Sequence, residues 1–109
     1  MPEKRQITFG EFRFDETSEA LWRGSHAIAL RPKAFAVLKY LLEQAGRLVT
    51  KQQLLDTLWA DAYVGDAVLK DSIRQIREAL GDDARSPRFI ETVHRRGYRF
   101  IAQVTKEEG

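Results

Sequence analysis

Leu69, Ile73, Ile76 and Leu80 recur at intervals of four, three and four residues, and Gly81 follows at once. Successive residues of an α-helix turn by about 100°, so this spacing puts all four side chains on one stripe. A glycine just past the last apolar position is a common helix stop. The pattern predicts a helix over 66–80, with Asp66 as its N-cap. Its other face presents Ala67, Lys70, Asp71, Arg74, Gln75 and Glu78, with Arg77 at the margin. Such a helix cannot bury its own stripe, so the rest of the chain must supply a core for it.

Two further helices are expected upstream. Pro32 suits a first helical position, where its missing N–H does no harm. Phe35, Leu38, Leu41, Leu42 and Ala45 follow at helical spacing, and Gly46 closes the run. Thr50 with Gln53 three residues on forms a capping-box pattern ahead of Leu54, Leu55, Leu58 and Trp59. Before these helices, Ile7 and Phe9, then Phe12 and Phe14, alternate with polar residues at the period of a half-buried strand. Turn signals at 15–18 and at Gly24-Ser25 complete three or four short antiparallel strands. After the helices comes FIETVHRRGYRF, residues 89–100, whose two apolar runs flank a tip of His94, Arg95, Arg96 and Gly97. Tyr98 and Phe100 share the face that can enter the core, and Arg99 points the other way. Gly97 is expected to take the positive φ of the tip. The fold class is therefore α+β: an N-terminal antiparallel sheet, three helices and a C-terminal β-hairpin, the order of a winged helix-turn-helix.

At 109 residues this is one domain with a modest core. The chain holds no cysteine, which excludes disulfides, thiolate metal sites and cysteine nucleophiles and suits a cytoplasmic location. No apolar run approaches the ~20 residues of a membrane span. His26 and His94 lack acidic neighbours at ligand spacing, so no metal site is expected. No phosphate-cradling glycine loop occurs, Ser72 has no positioned base, and Asp82-Asp83 reads as a solvated loop. Neither an enzyme nor a cofactor is expected.

Net charge is only +2, but its distribution is uneven. Between Arg85 and Arg99 stand five arginines against Glu91 alone, a local net charge of +4. Local fields steer a polyanion more than the total does. A charged helical face is ordinarily just wet. Here it stands between a capped helix and a cationic hairpin, and Arg and Gln are side chains able to bond guanine and adenine edges. His94, Arg95 and Arg96 at the hairpin apex can reach a phosphate or a narrow groove.

The chain resembles the C-terminal DNA-binding domain of OmpR/PhoB-type transcription regulators over about Ile7 to Val104. The likeness rests on GRLVTKQQLL (46–55) ending in Leu58-Trp59, then YVGD (63–66), IRQIREAL (73–80) and IETVHRRGYRF (90–100). The resemblance implies double-stranded DNA as partner, with the helix over 66–80 in the major groove and the wing, 89–102, in the minor groove. By position it assigns Val68, Asp71, Ser72, Arg74, Gln75 and Arg77 to the groove-facing set. It places Lys51, Trp59 and Tyr98 at phosphates, and the loop 60–66 at RNA polymerase. It also implies tandem binding, a dimer on direct repeats. The wing is similar to that of the membrane-anchored, CadC-like subgroup, so the chain is expected to be one module of a longer regulator carrying sensor or repeat domains.

The expected division is an N-terminal tail over 1–6, the DNA-binding domain over 7–104, and a polar tail or linker over 105–109. Two departures from the family pattern bear on what is read. Its members often carry arginine where His94 stands, and Gln75 replaces a frequent basic residue beside the acidic Asp71. The competing reading is a winged helix used as a protein-interaction module, with the acidic patches and the loop 60–66 as its working surface.

Overall fold

A computed structural model describes residues 5–108. Among them the order is β1 (Arg5–Phe9), β2 (Phe12–Asp15), β3 (Ala20–Arg23), β4 (His26–Ile28), α1 (Pro32–Glu43), β5 (Leu48–Thr50), α2 (Lys51–Leu58), α3 (Ala67–Leu80), β6 (Ile90–Val93), β7 (Gly97–Phe100) and β8 (Thr105–Glu108). The strands form two sheets, in the orders β4-β3-β2-β1-β8 and β5-β7-β6.

The alternation in β1 and β2 does what its period requires. Ile7, Phe9, Phe12 and Phe14 are all buried on one face of the first sheet. α1 lies against that core with Ala34, Val37, Leu38, Leu41 and Leu42 inward. The capping box at α2 is complete: the Gln53 N–H donates to Thr50 Oγ1 at 3.0 Å, and the Thr50 N–H donates to Gln53 Oε1 at 2.7 Å. α3 buries Leu69, Ile73, Ile76 and Leu80 and ends at Gly81, whose φ is +67°. The Gly81 N–H bonds the Glu78 carbonyl and the Asp82 N–H the Arg77 carbonyl, the paired bonds of a Schellman stop.

Phe9, Phe12, Phe89 and Phe100 form one aromatic cluster, with edge-to-face contacts of 5.2 Å for Phe9–Phe100 and 5.5 Å for Phe12–Phe89. This cluster joins the first sheet to the base of the hairpin. The wing is thus mounted on the core that carries α3.

The structure corrects two expectations and adds one element that the sequence pattern does not mark. Thr105–Glu108 is no tail: it pairs antiparallel with β1, Thr105 opposite Thr8 and Glu108 opposite Arg5. Arg5 and Gln6 likewise belong to β1. An edge strand gains mainly its backbone ladder, and polar side chains suit an edge, so no apolar alternation marks it. Residues 1–4 and 109 of the two expected tails lie outside the described residues. Second, Leu48–Thr50 is a short strand that pairs with β7 and runs directly into α2. Third, Asp66 makes no side-chain cap on α3 and has helical φ and ψ. Its carboxylate instead meets Lys51 Nζ at 3.0 Å, clasping the starts of α2 and α3 together.

Candidate nucleic-acid interface

α3 presents its polar face because its stripe is fixed in the core, and the wing stands beside it for two local reasons. Asp82, just past the Schellman stop, accepts the backbone N–H groups of Arg88, Phe89 and Ile90 at 2.7, 3.2 and 2.9 Å. It is therefore not the solvated loop residue expected, but the post on which the wing's first strand hangs. Arg77 supplies the second tie, donating to the Ile90 carbonyl at 2.8 Å and to Thr92 Oγ1 at 2.9 Å. Its Nε is buried with no hydrogen-bond partner among the described residues. Arg77 accordingly leans on the base of the wing, although helical spacing put it at the margin of the polar face.

Other sequence-predicted residues separate by burial. Val68 is half-buried in the first turn of α3, Asp71 and Arg74 are exposed, and Gln75 is half-buried. Ser72 is only 4% exposed, which corrects its place in the groove-facing set. It lies three residues after Leu69 and four before Ile76, so it falls inside the apolar stripe. Tyr98 is likewise buried, at 4%, and loss of water around its hydroxyl raises its pKa above the ordinary value. It shares a trough of about 530 Å³ with Lys70, Ile73, Arg77 and Thr92, between α3 and the wing. Trp59 is half-buried against the core at the end of α2, with Lys33 Nζ 5.1 Å from its ring centroid. Lys51 is tied twice, through its ammonium to Asp66 and through its backbone N–H to the Arg96 carbonyl at 3.1 Å.

The positive charge is sharper than the sequence run suggested. Arg99 is paired with Glu91 at 3.1 Å, and Arg88 lies 3.8 Å from Glu11 and against the Phe89 ring. His94, Arg95 and Arg96 are exposed at the apex, and among the described residues neither arginine there has an ion pair within 4 Å. Lys70, on α3, is a further exposed cation without one, and it was absent from the expected site set. Its position on the polar face was the available signal.

The positive φ at the tip belongs to Arg95, at +64°, and not to Gly97. Arg95 occupies the third position of a turn closed by the Arg96 N–H on the Val93 carbonyl at 2.9 Å. A left-handed conformation disfavours a side chain by roughly 1–2 kcal/mol, and strain of this kind gathers at functional sites.

A helix-turn-helix whose second helix stands beside a cationic two-stranded hairpin, both carried by one core, defines a winged helix-turn-helix domain. Residues 25–100 match the family described as "Transcriptional regulatory protein, C terminal", and the chain belongs to it. It is 42% identical over 96 residues to the transcriptional regulator HilA of Salmonella typhi, a match covering 88% of this chain and 17% of that protein. The chain thus spans under a fifth of that curated relative. The DNA-binding domain of Klebsiella pneumoniae RstA, solved in complex with the RstA box, superposes with a TM-score of 0.78 at 30% identity, covering 88% of this chain and 96% of that one. Thermotoga maritima DrrB, an OmpR/PhoB homologue, gives 0.81 at 35% identity, over 88% of this chain and 44% of its own.

Proposed function

We propose that this chain is the sequence-specific, double-stranded-DNA-binding domain of a bacterial transcription regulator working in the cytoplasm. α3 enters the major groove and the wing reaches the neighbouring minor groove. The observation that carries this reading is the shared trough between α3 and the wing, with the unpaired Arg95 and Arg96 at the wing's apex. The likeness to a DNA-bound domain supports it. Val68, Arg74 and Gln75 face the bases, His94, Arg95 and Arg96 the minor groove, and Lys51, Lys70 and Trp59 the phosphates. Tyr98 and Arg77 hold the wall between them. Tyr63 is fully exposed and Val64 stands out of the loop 60–66, which supports that loop as the contact with RNA polymerase. One recognition helix per chain favours tandem binding of two copies to direct repeats.

Binding is expected to weaken steeply with salt, because phosphate neutralisation releases counterions. Replacing Arg95 and Arg96 together by alanine should shallow the slope of log affinity on log salt by about one to two phosphate contacts. Fluorescence-anisotropy titrations on a duplex check this, and an unchanged slope would take the wing out of the interface.

Arg95→Gly separates charge from backbone. Glycine accepts the φ of +64° freely, so stability should hold or rise by up to about 1 kcal/mol. DNA affinity should fall all the same, since a cation leaves the tip. Thermal melts beside binding curves measure both, and full affinity in Arg95→Gly would leave Arg96 as the cation that matters.

A further inference from the structure

The polar face of α3 is not a set of free side chains. Asp71 Oδ1 accepts from Arg74 Nη2 at 2.7 Å, and Asp71 Oδ2 accepts from Gln75 Nε2 at 2.8 Å. Arg74 Nη1 reaches on to Glu78 Oε1 at 2.9 Å. One carboxylate therefore holds both side chains best suited to reading bases. Arg31 faces the same carboxylate across an open groove of about 840 Å³ between the β4–α1 connection and α3.

Exposed pairs along a helix add little to stability, so the consequence of this cluster lies in geometry and charge. A glutamine amide offers an oxygen acceptor at one corner and an NH₂ donor at the other, and a free one turns either way. With Nε2 on Asp71, the Gln75 amide has one polarity. Its Oε1 and the second Nε2 hydrogen remain for a base, the combination that pairs with adenine N6 and N7. Arg74 is spanned between two carboxylates, each about one turn from it along the helix and on opposite sides, which restrains it from swinging to a phosphate. Asp71, Arg74 and Glu78 together carry a net −1, so the cluster adds no general attraction to a polyanion. The two bonds, that from Arg74 foremost, also keep the Asp71 carboxyl below its usual pKa and hence charged.

We propose that Asp71 is a positioning residue for base recognition: it orients Gln75 and Arg74 on α3 and withholds Arg74 from indiscriminate phosphate binding. The inference rests on the DNA-binding reading above. Asp71 acts through its neighbours and exchanges affinity for discrimination.

The test is selection from a randomised duplex library at one salt concentration, with wild type, Asp71→Ala, Asp71→Asn, Gln75→Ala and the double Asp71→Ala/Gln75→Ala. Anisotropy on a random duplex gives non-specific affinity, and melts confirm folding, which an exposed helical position should keep. Asp71→Ala should bind random DNA more tightly and with a steeper salt slope. Its preference at the base pair read by Gln75 should drop at least about fivefold, the low end of what a bidentate contact discriminates. Asp71→Asn should keep part of that preference, because Arg74 and Gln75 sit on different Asp71 oxygens and asparagine puts an NH₂ donor in place of one of them. In the double variant the Asp71 substitution should add nothing at that base pair. An unchanged preference in Asp71→Ala overturns the proposal. So does additivity in the double variant, which would make Asp71 itself a base contact, accepting from a cytosine amino group. A wild type that selects no sequence overturns the DNA-binding reading, and this inference falls with it.

Discussion

Gly97→Ala is expected to lower the melting temperature by roughly 12 °C or more, the largest effect of a methyl group added at any of the described glycines. A Cβ built at Gly97 would lie 2.0 Å from the Val49 carbonyl oxygen and 2.9 Å from Thr50 Cα. Those are backbone atoms of β5, and Gly97 sits opposite Thr50 in the register of β5 and β7. A flexible side chain could step aside, but a paired strand cannot. Moving β5 would drag the N-terminus of α2, because Thr50 is its cap and Lys51 its first residue. The cost should therefore reach or exceed about 3 kcal/mol, the upper end of ordinary overpacking, against a total stability of roughly 5–15 kcal/mol. Gly81→Ala is the control. Open space surrounds Gly81, so the substitution meets only the left-handed backbone cost of about 1–2 kcal/mol. Thermal melts of the two variants, measured side by side, decide the matter. Equal losses would mean that the chain separates β5 from β7 at little cost.

The contrast between these two glycines marks what was legible in the sequence. Gly81 follows an apolar stripe directly, so its role is local and the order of residues reveals it. The same local logic makes Gly97 a turn glycine, yet its reason is β5, a strand almost fifty residues away. Thr50 and Gln53 announce a cap because both partners lie within one turn. Asp66 looked the same kind of residue, but Lys51 across the helix-turn-helix takes its carboxylate. β8 left no apolar trace because an edge strand of Thr, Lys and Glu is held by backbone pairing with β1.

The candidate site divides along the same line. Helical spacing brings out Asp71, Arg74 and Gln75 on one exposed face, and the hairpin pattern brings out the cations of its tip. Spacing does not tell how far a long side chain travels. Arg77 leaves its margin for the Ile90 carbonyl, and Arg99 and Arg88 are drawn to Glu91 and Glu11. Of the five arginines in the run, Arg88 and Arg99 are therefore paired, while Arg95 and Arg96 stand exposed where β6 turns into β7. Ser72 and Tyr98, assigned by likeness to a family, turn out to be walls and not surface.

Asp82→Ala should cost at least about 3 kcal/mol and should weaken specific DNA binding even where the variant is fully folded. The carboxylate accepts three backbone N–H groups, those of Phe89 and Ile90 being partly buried. Hydrogen bonds to a charged group are worth about 1.5–3 kcal/mol each, and donors left half-buried without partners add a penalty. Water regains part of this at the exposed Arg88 amide, which brings the sum down. Asparagine is a poor substitute. If its oxygen serves Phe89 and Ile90, its NH₂ meets the Arg88 N–H donor to donor. Asp83→Ala is the matched comparison, since among the described residues the Asp83 carboxylate accepts only the exposed Arg85 N–H, at 2.9 Å, and the variant should lose well under 1 kcal/mol. The effect on binding follows from where the three amides lie. Ile90 opens β6, with its N–H on Asp82 and its carbonyl on Arg77. Both groups come from the end of α3, and together they set the angle between recognition helix and wing. Without Asp82 the wing keeps its charge but loses its fixed distance from α3. Non-specific affinity should then be nearly unchanged, while affinity for the selected operator falls. Binding to operator and random duplexes, measured well below the variant's melting temperature, tests this. If both affinities match the wild type, the aromatic cluster at Phe89 and Phe100 holds the wing unaided.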